Sequence, residues 1–159
     1  MSRAVPKLAD ADLQAARFER IRDDHRTEIA EDYVELIADL IEATGEARGV
    51  DLAGRLGVAN ATVNNAVARL QRDGLVRSEP YRSIFLTEKG WELARYCRRR
   101  HRIVLDFLHA IGVCPTTAAI DAEGIEHHVS PETLEALERV ISLDLAGRGL
   151  LDERTGPTR

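Results

Sequence analysis

The segment 121–132, DAEGIEHHVSPE, puts Glu123, Glu126 and His127 within five positions of one another. On a helix these three project into one sector, whereas His128 turns about 100° away from His127. Acids that close repel one another unless a cation neutralises them or they face water. Two other stretches carry matching groups. Asp32 and Glu35 are i and i+3 on the flank of an amphipathic stretch, and His101 stands between an arginine run and an apolar run. Four carboxylates and two imidazoles form a hard, oxygen-rich donor set without thiolate or thioether. Such a set argues against Cu(I) and structural zinc and suits Mn²⁺ or Fe²⁺ in octahedral coordination. Six donors exceed what one ion with bound water needs, so a two-metal cluster is a candidate. Each piece alone is more often a solvated helix face. The three gain weight only together.

The elements that must position these groups are mostly helical. Residues 8–28 are charge-rich with sparse apolar positions and read as a helix leading out of a loose N-terminal tail. In EDYVELIADLIEATGEA, Tyr33, Leu36, Ile37, Leu40 and Ile41 form one apolar stripe, and Gly45 ends the helix. A short helix from about Asp51 to Leu56, a turn at Gly57 and a second helix from about Asn60 to Arg72 follow. Gly74 stops that helix. Two β-type runs, Leu75–Ser78 and Ser83–Leu86, flank a Pro-Tyr-Arg turn. Helix, glycine turn, helix and hairpin read as a winged helix-turn-helix.

Thr87 caps the next helix, with Leu93, Ala94, Cys97, Val104, Phe107, Leu108 and Ile111 as buried positions and Gly112 at its end. A helix from about Pro115 to His128 would carry the acidic cluster. Ser130-Pro131-Glu132 starts the last helix, with Leu134, Leu137, Val140, Ile141 and Leu145 as its stripe. The expected fold is mostly α. The expected divisions are a tail and helix at 1–27, a winged helix-turn-helix at 28–96, a helical metal-binding and dimerisation domain at 97–147, and a disordered tail at 148–159. Cys97 and Cys114 lie far apart, without a CxxC pattern, and read as small buried hydrophobes.

Charge divides the chain more sharply than its net −5 suggests. Residues 50–102 carry 11 Lys/Arg against 5 Asp/Glu, whereas residues 1–49 and 103–159 are net −5 and −6. The basic middle suits a phosphate backbone and the acidic flanks suit cations. The second helix of the turn exposes Asn60, Thr62, Asn64, Asn65 and Arg69. Asparagine can both donate to and accept from an adenine edge. Arg69, Arg72, Arg77 and Arg82 are candidates for phosphate contact, Arg82 at the wing tip. No apolar run is long enough to span a membrane, and the N-terminus MSRAVPKLADADLQ lacks a signal-peptide core, so a cytoplasmic protein is expected.

Together, EDYVELI before a helix-turn-helix, a wing ending FLTEKG, then RHRIVLDFLHAIGV and DAEGIEHHVS resemble the manganese-responsive branch of the diphtheria-toxin-repressor family of iron- and manganese-dependent repressors. The resemblance spans roughly residues 28–145. It implies that Asp32, Glu35, His101, Glu123, Glu126 and His127 bind two manganese ions per subunit, with Fe²⁺ as an alternative. It also implies a homodimeric repressor of manganese-transport genes that binds a pseudo-palindromic operator on double-stranded DNA. In the iron-responsive branch, cysteine typically stands at the position of Glu123 and methionine at that of Asp32. Relatives often carry Ser or His at the position of Ala59, so Asn60 is expected to cap its helix instead. A di-metal enzyme would need two Glu-x-x-His motifs, which are lacking, so no enzymatic activity is expected. A regulator that senses an organic ligand would have few aromatic residues, 4 %, to line a pocket.

Overall fold

The computed structural model describes residues 10–78 and 82–145. The expected tail at 148–159 and the first nine residues lie outside them.

Helix α1 is Ala11–Thr44, capped by Asp10, whose side chain accepts from the backbone N–H groups of Asp12 and Leu13. The two helical stretches read from the sequence are therefore one helix. Its first half is exposed, with Leu13, Phe18 and Ile21 all open to solvent, so no apolar stripe announces that it continues. Its second half turns Tyr33, Val34, Ile37, Ala38 and Leu40 into the core.

Helices α2 (Gly49–Leu56) and α3 (Asn60–Arg72) form the helix-turn-helix. Gly57 joins them at φ +67°, a left-handed conformation that costs a side-chain-bearing residue about 1–2 kcal/mol. Leu52, Val63, Val67 and Leu70 lock their angle by burial against α1. Strands β1 (Val76–Arg77) and β2 (Phe85–Leu86) pair antiparallel, and Ile84 bridges to Ala47, which ties the wing to the chain leaving α1. Gly90 packs so closely on the residue preceding β1 that a Cβ would sit 2.2 Å from the Leu75 carbonyl oxygen.

Helix α4 (Glu88–Ala110) starts at Thr87, whose hydroxyl accepts from Gly90 N–H. It links two cores. Its first turns complete the winged-helix core, and Ile103, Val104 and Leu108 enter a second core with Ala118, Ala122 and Leu134. Helix α5 (Pro115–Ile125) stops three residues earlier than expected, and Glu126–His128 tighten into a 3-10 turn. Helix α6 (Pro131–Leu145) begins as expected, with the Ser130 hydroxyl accepting from Thr133 N–H.

Two sequence expectations fail on burial. Ile111 is exposed, because the chain leaves α4 there. Cys114 is exposed at the start of α5, while Cys97 is buried and its thiol is pushed up to about 12 by desolvation.

Candidate metal centre and nucleic-acid face

The site forms where α1, α4 and the 3-10 turn meet, between the two cores. Asp32 lies on α1, one residue before the buried stripe, and stays half-exposed. His101 follows Arg100 on α4. Glu123 lies in the last turn of α5, and Glu126 and His127 are buried in the 3-10 turn. In such a turn successive side chains diverge by about 120°. Glu126 thus faces His101 on α4 while His127 faces α1.

A continuous chain of contacts follows. His127 Nε2 lies 3.1 Å from Asp32 and 3.5 Å from Glu126. His101 Nδ1 lies 3.0 Å from Glu126 Oε2 and 3.7 Å from Glu123. Glu35 joins electrostatically. Burial lifts its carboxyl above the ordinary range, His101 opposes that, and Glu123 adds to it. All six residues named from the sequence therefore share one neighbourhood.

Charge there is unbalanced. Glu126 is fully buried, and desolvation raises its carboxyl well above the usual range, with the negative charge of Glu35 adding to the effect. Its Oε2 accepts no hydrogen bond, although His101 Nδ1 stands 3.0 Å away. A buried carboxylate oxygen without a donor costs stability unless something positive reaches it. Its neighbours are oxygen and imidazole donors, and one donor atom each from His101, Glu123 and Glu126, a ring nitrogen and two carboxylate oxygens, lie close enough together for one cation. The residues present fit a hard divalent metal.

Sequence reasoning missed two members of the site. Glu31 and Arg100, only 4 % and 6 % exposed, form a buried bidentate ion pair, with Nη1 of Arg100 3.2 Å from Oε1 of Glu31. Glu31 also receives His127 Nδ1 at 2.7 Å. Burial alone would raise the Glu31 carboxyl, but the hydrogen bonds from His127 and Arg100 outweigh it and hold it low. With Asp32 at one ring nitrogen and Glu31 at the other, His127 is pushed up to about 10 and is an imidazolium in the metal-free protein. The signal was periodicity: Arg100 continues the stripe Ala94, Cys97, Ile103, Val104, and Glu31 precedes Val34 and Ala38 by one and two turns.

The sequence-named nucleic-acid residues Asn60, Thr62, Asn64, Asn65, Arg69, Arg72, Arg77 and Arg82 are all exposed. Asn60, Asn64 and Arg82 line one concavity between α3 and the wing, together with Arg48 and Gln71. Thr62, Asn65 and Arg69 border a second one beside Asp32. The expected capping by Asn60 does not occur. Ala59 holds the cap position with no side-chain hydrogen bond, and Asn60 begins the helix proper.

A winged helix-turn-helix whose first helix shares a carboxylate–imidazole cluster with a second helical unit defines a class: DNA-binding regulators that carry a metal site between two domains. Comparison with known proteins narrows the class. Residues 25–84 match the iron-dependent repressor N-terminal DNA-binding domain, and residues 87–142 match the metal-binding and dimerisation domain of the same family. The transcriptional regulator MntR of Escherichia coli O6:H1 is 48 % identical over 135 residues, 85 % of this chain and 87 % of that protein. The HTH-type transcriptional regulator MntR of Listeria monocytogenes is 39 % identical over 111 residues, 70 % of this chain and 78 % of that protein. A solved manganese-dependent transcriptional repressor in complex with manganese superposes with a TM-score of 0.65 at 26 % identity, covering 82 % of this chain and 62 % of its own. The manganese regulator SloR superposes at 0.63 with 28 % identity over 71 % of this chain, which spans about half of that longer one, 53 %. The chain belongs to the iron-dependent repressor family. Its relatives are transcriptional regulators rather than enzymes. No helix among the described residues is long and apolar enough to cross a membrane.

Proposed function

We propose that this protein is a Mn²⁺-activated repressor of manganese-homeostasis genes, acting in the cytoplasm as a homodimer on a pseudo-palindromic operator. Asp32, Glu35, His101, Glu123, Glu126 and His127 hold two manganese ions per subunit. The observation that carries this reading is the buried Oε2 of Glu126, which accepts no hydrogen bond and lies in an oxygen-rich donor set. The 48 % identity to a regulator named for MntR supports it.

Bound manganese supplies positive charge that offsets four carboxylates. The chain does the rest. Asp32 and Glu35 belong to the helix against which α3 is packed, whereas Glu123, Glu126 and His127 belong to α5 and the 3-10 turn of the second helical unit. Neutralising the acids from both sides favours one setting of the two units and so one spacing of the two α3 helices in the dimer, suited to successive major grooves. A ligand shifts such an equilibrium only by its differential affinity for the two settings. Asn60, Thr62, Asn64 and Asn65 present base-reading groups, and Arg69, Arg72, Arg77 and Arg82 reach phosphates.

The test is binding to promoter fragments at fixed salt across Mn²⁺, Fe²⁺ and Zn²⁺. Mn²⁺ should tighten binding at least tenfold, and Glu123→Gln should abolish the response while leaving the far-ultraviolet circular dichroism unchanged. Equal affinity with and without Mn²⁺ in the parent protein rules the reading out.

A further inference from the structure

A second cluster of metal-ligating side chains lies outside the six-residue site. His25 and Glu28 are i and i+3 on α1, and His128 closes the 3-10 turn. His25 Nδ1 lies 2.8 Å from Glu28 Oε2, and His128 Nε2 approaches the same oxygen at 3.7 Å. The two imidazole rings meet edge to face with centroids 5.5 Å apart. One donor atom from each residue falls within 4.8 Å of the other two.

We propose that His25, Glu28 and His128 form a separate site for a borderline transition-metal cation of the Zn²⁺ class. Tetrahedral bonds of 2.0–2.1 Å place N and O donors about 3.4 Å apart. The two separations to Glu28, 2.8 and 3.7 Å, bracket that value, and the third pair of donors lies within 4.8 Å. Two imidazoles and one carboxylate, with a fourth position left for water, is a donor set that zinc accepts. It is also chemically distinct from the larger cluster. There, four carboxylates accompany two imidazoles and suit a hard ion. Here nitrogen predominates, which shifts preference toward zinc and the later first-row metals. Solvent reaches the site: the His25 and His128 side chains are 66 % and 37 % exposed, so an ion enters without opening the core.

The placement gives such an ion leverage. His128 directly follows Glu126 and His127, and His25 lies on the part of α1 that runs beyond the winged-helix core. An ion held by all three would fasten that part of α1 to the turn bearing two residues of the proposed manganese cluster. The binding proposal stands apart from the manganese reading. Only its consequence for DNA control rests on it.

The test is zinc stoichiometry and affinity of the full chain, measured by titration against a competing chelator, for the parent and for His25→Ala and Glu28→Gln. The larger cluster also offers donors that zinc accepts, so the readout is the difference. Each variant should lose one zinc equivalent, or bind it at least tenfold more weakly. Mn²⁺-dependent DNA binding of His25→Ala without zinc should match the parent. His25 is exposed, so its removal leaves the fold intact, and that variant alone decides the matter if Glu28→Gln is destabilised. Equal zinc stoichiometry and affinity in His25→Ala and the parent overturns the proposal. Loss of the Mn²⁺ response in the parent would overturn the manganese reading without changing the zinc count.

Discussion

Nδ1 of His127 lies 2.7 Å from Oε2 of Glu31, ninety-six residues away in sequence and on the other side of the junction between the two cores. This contact fixes which way the imidazole faces. Nδ1 donates to Glu31, so Nε2 points to Asp32 and Glu126. Glu31 is itself held ionised, against its burial, by the hydrogen bonds from His127 and Arg100. A carboxylate behind a metal-binding histidine orients the ring and raises its basicity.

Glu31→Gln should therefore weaken Mn²⁺ binding by about 10–100-fold, the usual cost of losing such a supporting contact. Isothermal titration of the variant against the parent measures it. An unchanged affinity would mean that Glu31 is only structural.

Removing one member of the buried pair should cost more stability than removing both. Glu31→Ala leaves the Arg100 charge buried and unpaired, at about 3–5 kcal/mol. The double variant Glu31→Leu with Arg100→Met should recover most of that loss. Urea unfolding of the metal-free proteins gives both values, and equal destabilisation of single and double variants would contradict the account.

Metal-free stability should fall as the solution becomes alkaline. His127 is raised from 6.5 to about 10 in the folded protein, first by Asp32 and then by Glu31. Its contribution is complete below pH 6.5 and disappears as pH rises through 10, because the folded state holds the extra proton. The raised Glu126 carboxyl acts in the same direction at lower pH. Melting temperature without metal should thus drop between pH 6.5 and 9.5. Mn²⁺ binding should release protons and tighten over the same interval. A flat melting profile would refute the imidazolium assignment.

Gly90→Ala should loosen the joint between wing and α4. The added methyl meets the Leu75 carbonyl oxygen at 2.2 Å, and a backbone atom yields less readily than a flexible side chain. Overpacking of this kind costs roughly 1–3 kcal/mol. Thermal unfolding and DNA affinity should both suffer.

Arg82→Ala should lower DNA affinity evenly across sequences and reduce the salt slope by about 1, as the loss of one phosphate contact does. Asn64→Ala should instead cost about 1–3 kcal/mol at its cognate base and relax selectivity there. Gel-shift titrations at several salt concentrations separate the two behaviours.

Helix α3 was legible to its ends because Val63, Val67 and Leu70 repeat with helical spacing between Gly57 and Gly74. The six cluster residues were singled out by donor type and joined into one set by the resemblance, and the fold brings them near one another. Glu31 and Arg100 were not, because a charge inside an apolar stripe reads as surface until its partner is seen. The length of α1 was hidden for the opposite reason: its exposed first half has no buried face to set a period. The cap at Ala59 was misread because a neighbouring asparagine is a better capping residue by type than by position.

The 3-10 geometry of Glu126–His128 makes this tripeptide a three-way junction: Glu126 toward His101, His127 toward Glu31 and Asp32, His128 toward Glu28. Each assignment depends on reading frame rather than on residue type. A single-residue insertion just before Glu126 would rotate the trio by about a third of a turn. Every side chain would then be handed its neighbour's post, with all the chemistry still present and none of it aimed.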